Sequence, residues 1–195
     1  MTTPTQRVIA RAQLYIGQHE DPMGSNRGAF VQKCQSFTWL RGTGWPWCVA
    51  FCQRVFTECN LKLPWGSAGA WDLYARAQKV GWTHRIPKVG DIAIWNFGTG
   101  HASIVRRVLG NSVETIDGNV GDKVSVCTRP ISEARGFIRH PGLTAKKPVV
   151  VPPVKKPKKE VVGSAAGTTK TVTTSALWAL FQSMPWIPAN QGRKK

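Results

Sequence analysis

The sequence lacks the features that would cross-link a small domain or place it in a membrane. Its five cysteines are an odd number and none stands in a C-x-x-C pair, which argues against a disulfide framework and a structural zinc site. The amino-terminal stretch contains no apolar h-region, and no run reaches the roughly 18 to 20 apolar residues that cross a bilayer. We therefore expect at least one free thiol, and synthesis in a reducing cytoplasm without a secretory signal peptide.

Acidic residues are also scarce. The chain has 10 Asp and Glu against 27 Lys and Arg, which gives a net charge of +17. Residues 1–142 hold 17 basic and 9 acidic side chains, whereas residues 143–195 hold 10 and 1. The short carboxyl-terminal part therefore carries about half of the net charge, a field that favours polyanionic partners such as nucleic acid, anionic lipid or anionic cell-wall polymer.

Apolar residues at helical spacing predict three helices in the first part of the chain. The first helix is predicted from Thr3, which has capping-box spacing with Gln6 around Pro4, to Gly17. The second begins near Cys48, and the third covers about residues 67–81. A hydrophobic content of 42% and nine tryptophans are typical of a globular protein.

The apolar pattern changes to a period of two after residue 90. Short segments rich in β-branched and aromatic residues, separated by Gly or Asn, predict an antiparallel meander. The predicted strands are residues 91–97, 101–105, 112–117 and 123–129, followed by a last edge strand that ends at Pro141. Helices followed by strands predict an α+β fold for residues 1–142.

Cys48 stands at the predicted start of the second helix, and Pro46 suits the first turn of that helix. Unpaired N–H groups and the positive end of the macrodipole favour an anion at such a position, and the thiolate is the reactive form of cysteine. The same cysteine also fits a buried helical face, with Phe51 and Cys52 at i+3 and i+4. This stretch alone therefore supports a nucleophile and a packed core residue equally.

A nucleophilic cysteine needs a base and a group that orients the base. Among the four histidines, His101 is the best candidate because it opens a predicted strand directly after the "FGTG" turn. Asp117 and Asn119 alternate in "VETIDGN" and so share a face of an extended segment. Either could accept a hydrogen bond from the His101 Nδ1–H, although "DGN" also fits an ordinary turn.

Three segments in this order, "PWCVAFCQRVF", "VGDIAIWNFGTGHASIV" and "ETIDGN", resemble the CHAP domain, the cysteine- and histidine-dependent amidohydrolase/peptidase of the papain-like superfamily. The resemblance covers roughly residues 5–140 and implies a papain-like fold with an antiparallel sheet or partial barrel. It matches Cys48 to the nucleophile, His101 to the general base, and Asp117 and Asn119 to the family's Glu-x-Asn positions. It leaves open which of the last two orients His101.

The resemblance also implies the substrate and the setting. The substrate would be an amide bond of peptidoglycan, either between muramic acid and L-alanine or within the stem peptide or cross-bridge. The segment "GQHEDPMGSNRGAF" is similar to one that precedes the cysteine in many phage-encoded members. Without a secretion signal, a phage lytic enzyme would be released through a holin pore or carried in the virion, and we expect it to be a monomer. The candidate substrate-binding residues are Glu20, Asn26, Trp47 and Trp95.

Some members of the family bind calcium through an acidic loop around the cysteine. The corresponding loop here, "RGTGWPWC", has no carboxylate, so we expect no metal and no other cofactor.

Residues 143–174 are predicted to be a flexible linker rich in Pro and Lys, and residues 175–195 a short apolar and basic segment. This tail could hold an enzyme on anionic wall polymer, lipopolysaccharide or a membrane surface. The alternative is a non-catalytic basic virion or nucleic-acid-associated protein on a CHAP-like scaffold, its lysine pairs contacting phosphates. No recognised nucleic-acid motif is present, so we expect no specific nucleic acid partner.

Overall fold

A computed structural model of the protein describes residues 2–144. This part of the chain has an α+β fold in which helices precede an open antiparallel sheet, as the sequence predicts. The helices are α1 (Pro4–Gln13), α2 (Ala29–Gln35), α3 (Cys48–Glu58) and α4 (Ala70–Lys79). The strands are β1 (Thr83–His84), β2 (Ile92–Trp95), β3 (His101–Leu109), β4 (Ser112–Val120), β5 (Lys123–Pro130) and β6 (Ala134–Ile138). The predicted linker and carboxyl-terminal segment lie outside the described residues, apart from residues 143 and 144.

The start of α1 confirms the predicted capping box. The Thr3 hydroxyl accepts a hydrogen bond from the Gln6 backbone N–H at 3.1 Å, and the Gln6 side chain accepts one from the Thr3 N–H at 2.8 Å. Pro4 occupies the first helical position, where a backbone N–H would have no partner in the helix. The helix ends at Gln13, earlier than predicted, and turns connect it to Gly17.

Helix α3 is the central helix of the domain and begins at Cys48. The residue that precedes it is Trp47, so Pro46 lies just before the helix and not in its first turn as predicted. The helix packs against β3 and β4, and the approach to β4 is close because residue 118 is glycine. A Cβ atom at Gly118 would lie 2.6 Å from the Phe51 Cβ.

The strand order in the sheet is β1, β6, β2, β3, β4, β5, and all neighbouring strands are antiparallel. The last strand, β6, lies between β1 and β2, so the prediction that it forms an edge was wrong. The edge strand on this side of the sheet is β1, which was not predicted because its two residues are too few to show a periodic pattern. Helix α2 was also not predicted, since it has only seven residues and no side chain caps its start.

The main core fills the space between the helices and one face of the sheet, and the buried face of α3 lies at its centre. A smaller cluster covers the opposite face of the sheet and consists of Ala93, Trp95, Val105, Val113 and Phe137. No helix among residues 2–144 is both long enough and apolar enough to span a membrane.

Candidate active site

Three elements bring Cys48, His101 and Asp117 together. Cys48 is the first residue of α3 and His101 is the first residue of β3, while Asp117 lies in the neighbouring strand β4. The register pairs Ser103 with Asp117, so the His101 ring reaches the carboxylate on the adjacent strand. The His101 Nε2 lies 2.9 Å from the Asp117 Oδ1. Cys48 and His101 each retain 7% exposure, whereas Asp117 is fully buried.

The thiol and the imidazole change each other's protonation. Burial alone would lower the pKa of His101, but hydrogen bonds to Asp117 and Cys48, together with their negative charges, raise it to about 9. Burial would raise the pKa of Cys48, yet the hydrogen bond and charge of His101 and the backbone N–H groups of Ala102 and Val49 lower it overall. The two shifts together move the pair toward thiolate and imidazolium.

The ring nitrogen that faces the carboxylate differs from the prediction. We expected the Nδ1–H to donate to the acidic partner, but the Nε2 occupies that position, which leaves the Nδ1 for Cys48. This contact fixes which ring nitrogen faces the sulfur.

Asn119 does not share the position of Asp117. Its backbone has a φ of +65° at an irregularity in the pairing of β4 and β5, which turns the side chain away from the alternation expected of a strand. The Asn119 Nδ2 donates to the Asn26 Oδ1 at 3.1 Å. The structure thus brings Asp117 to His101, and Asn119 to the loop before α2.

Arg129 of β5 also contacts Asp117, a role that was not predicted from the sequence. Its Nη1 donates to the Asp117 Oδ1 at 2.7 Å and to the Thr115 hydroxyl at 3.2 Å. The Thr115 hydroxyl also donates to the second carboxylate oxygen of Asp117. Nothing in "KVSVCTRP" marks this arginine, because its role depends on the register between β4 and β5.

Two exposed aromatic residues flank His101 and were likewise not predicted. The Phe97 ring stacks on the imidazole with a centroid distance of 5.4 Å and an interplanar angle of 24°, while 44% of the residue stays exposed. Trp71 covers Gly100, where a Cβ atom would overlap the indole ring. The turn before His101 and the start of α4 therefore carry accessible aromatic surface in this region.

Three of the four predicted substrate-binding residues are buried, which leaves them almost no surface with which to contact a substrate. Trp47 and Trp95 have no exposed surface, and Glu20 is 1% exposed. Both tryptophans can be fully buried without loss because their indole N–H groups have internal partners. The Trp47 Nε1 donates to Glu20 and the Trp95 Nε1 to Ser103, each at 2.8 Å.

Glu20 instead supports the segment that leads to Cys48. One carboxylate oxygen accepts from the Trp47 indole, and the other accepts from the Asn26 backbone N–H at 2.7 Å. Asn26 is half-buried with a φ of +52°. The buried Gln35 amide donates to the carbonyls of Asn26 and Trp45 at 3.1 and 2.8 Å. These bonds hold the two loops beside Cys48, which makes Glu20 a structural residue.

The geometry agrees with a comparison against protein-family models. Residues 30–119 match the model of the CHAP domain. Residues 30–119 are therefore a CHAP domain. Members of the CHAP family are generally cysteine- and histidine-dependent amidohydrolases and peptidases of peptidoglycan. The match includes Cys48, His101 and Asp117 but ends before Arg129. No curated protein matches the chain.

Metal ligands do not cluster in the CHAP domain of this chain. Within residues 2–144, no group of three or more His, Cys, Asp or Glu side chains could hold a metal ion. The acidic side chains nearest the site are occupied by protein donors, since Asp117 binds His101 and Arg129 while Glu20 binds Trp47.

Proposed function

We propose that the protein hydrolyses an amide bond of peptidoglycan with Cys48 as nucleophile and His101 as general base and acid. The observation that carries this proposal is the meeting of Cys48, His101 and Asp117, in which the His101 Nε2 is hydrogen-bonded to the buried Asp117 carboxylate and the ring lowers the pKa of the Cys48 thiol. The family supports the substrate class. Asp117 would hold the His101 ring in the tautomer that leaves the Nδ1 facing the sulfur.

The reaction follows from the protonation of the pair. The Cys48 thiolate attacks the carbonyl carbon, and the amide C–N bond breaks as His101 gives its proton to the leaving amine. A thioester forms between Cys48 and the acyl group. His101 then removes a proton from water, the hydroxide attacks the thioester, and the thiolate leaves. The backbone N–H of Cys48 at the first helical position can stabilise the oxyanion.

Two kinds of amide bond fit this chemistry, and the proposal includes both. One joins muramic acid to L-alanine, and the other lies within the stem peptide or cross-bridge. A phage lytic enzyme is the setting that we propose, with synthesis in the host cytoplasm and access to the wall after holin release or as a virion component. The strongly basic tail would increase retention on the anionic wall.

Digestion of purified peptidoglycan tests this function. Cleavage between muramic acid and L-alanine releases free stem peptides from intact glycan strands, whereas cleavage within the peptides leaves a stub on each muramic acid. Mass spectrometry of the soluble products distinguishes the two. Protein alkylated at Cys48 with iodoacetamide is the control. If walls of several cross-link types yield no fragments, the hydrolase proposal is wrong and a binding role becomes the better hypothesis.

The cleavage rate should fall at alkaline pH. Because the pKa of His101 is raised to about 9, the imidazolium that protonates the leaving amine persists below pH 9 and is lost above it. We expect an alkaline midpoint near 9, with about a tenfold loss for each further pH unit. Initial rates on a wall suspension would show this, with circular dichroism as a control for the fold. A midpoint near 6.5 would contradict the hydrogen-bonded triad.

A further inference from the structure

Arg129 shares the buried carboxylate with His101. Both donors bind the same oxygen, since the Asp117 Oδ1 lies 2.7 Å from the Arg129 Nη1 and 2.9 Å from the His101 Nε2. Asp117 is fully buried and the Arg129 side chain is 14% exposed, so solvent screens this ion pair little. The Asp117 Oδ1 is therefore oriented from two sides, and of these two donors only His101 lies within the residues that match the family.

Aromatic side chains hold the guanidinium in this position. The Arg129 Cζ lies 5.1 Å from the centroid of the Trp95 ring and 5.5 Å from that of Phe97, within the range of cation–π attraction. Phe97 also stacks on His101. One aromatic ring thus contacts both of the cationic partners of Asp117, which restricts the positions that each can take.

We propose that Arg129 is a positioning residue for the hydrolysis, holding the negative carboxylate of Asp117 against His101 so that the thiolate and imidazolium pair persists in mildly acidic solution. The inference rests on the proposed function in taking Cys48 as the nucleophile. Cys48, His101, Asp117 and Arg129 then form a row of alternating charges, made of thiolate, imidazolium, carboxylate and guanidinium. Arg129 acts through Asp117 and does not itself touch the reacting atoms.

The other titratable groups that face Asp117 do not supply a second cation. Cys52 of α3 and Cys127 of β5 both interact with its charge, and burial raises the pKa of each thiol. Both are therefore neutral in neutral and acidic solution. His101 from β3 and Arg129 from β5 are the positive groups on the described part of the chain that contact the carboxylate.

The test is the pH dependence of Cys48 alkylation by iodoacetamide, followed on the Cys48-containing peptide by mass spectrometry. Removing the guanidinium charge destabilises both anions of the row, so protonation of the thiolate should occur at higher pH. The alkylation rate falls at low pH as the thiolate is protonated, and we call this fall the acid limb of the profile. For Arg129→Met we expect the acid limb to move up by about one pH unit. Arg129→Lys keeps the charge and should move the limb less.

Arg139→Met is a matched control, because Arg139 forms an equally buried ion pair with Asp91, at 2.6 Å, outside this row of charges. We expect destabilisation without a shift of the limb. Arg129→Gln is a second neutral variant in case R129M does not fold. An unshifted limb in either folded neutral variant overturns the proposal. Failure of both to fold also overturns it, by making the pair an element of the fold.

The readout requires no cell wall. A shifted limb in a protein that cuts no peptidoglycan would refute the proposed function and leave the role of Arg129 intact. An unshifted acid limb in a protein that does cut peptidoglycan would support the proposed function and refute the role of Arg129.

Discussion

Cys48→Ala should reduce peptidoglycan cleavage by at least about 10³-fold with little change in the free energy of unfolding. The substitution removes the thiolate that forms the thioester and also the partner of the His101 Nδ1. Alanine is a good helix former at the first position of α3, and the lost side chain is small. Initial rates of fragment release and a urea denaturation curve measure the two effects.

Cys59→Ala is a matched control for this variant. Cys59 directly follows the same helix and is 5% exposed, against 7% for Cys48, but it lies about 16 Å away along the helix axis. We expect it to cleave peptidoglycan at close to the wild-type rate. A Cys48→Ala protein that retains a tenth of the wild-type activity would refute the nucleophile assignment.

Asp117→Ala should destabilise the domain by about 3 kcal/mol and reduce cleavage sharply. The fully buried carboxylate accepts hydrogen bonds from His101, Arg129 and Thr115, so its removal leaves an almost buried guanidinium without a counterion. Cleavage falls because the His101 ring loses the group that orients it. Asp117→Asn retains an acceptor and should lose less on both measures.

A double-mutant cycle separates the ion pair from general packing. The double variant D117A/R129M removes both charges, so it should lose less free energy of unfolding than the sum of the two single variants. Urea denaturation at neutral pH gives all four values. Strict additivity would show that the Asp117 carboxylate and the Arg129 guanidinium do not stabilise each other.

Local patterns account for what could be predicted from the sequence. The capping box at Thr3 and Gln6 is complete within four residues, and the strands from residue 91 onward show their alternation without reference to the rest of the fold. Cys48, His101 and Asp117 lie within segments that resemble the CHAP family. These three residues meet because the helix that begins at Cys48 packs against the adjacent strands that carry His101 and Asp117.

The unpredicted features depend on distant parts of the chain. Trp47 and Trp95 stand beside or near the candidate residues in sequence, but the direction of each ring is set by Glu20 and Ser103. Arg129 reaches Asp117 only because of the pairing of β4 with β5. A single sequence shows the side chains at such positions but not the registers that bring them together.

The close packing of Gly118 on α3 limits how this site can change through mutation. Because a Cβ atom there would lie 2.6 Å from the Phe51 Cβ and 3.0 Å from the Trp47 ring, any larger residue requires the helix that begins with Cys48 to move away from the strand that carries Asp117. Sequence drift and directed evolution should therefore preserve this glycine even in variants with altered substrate preference. Random libraries would do better to diversify the exposed turn at Phe97 and the exposed Trp71 at the start of α4.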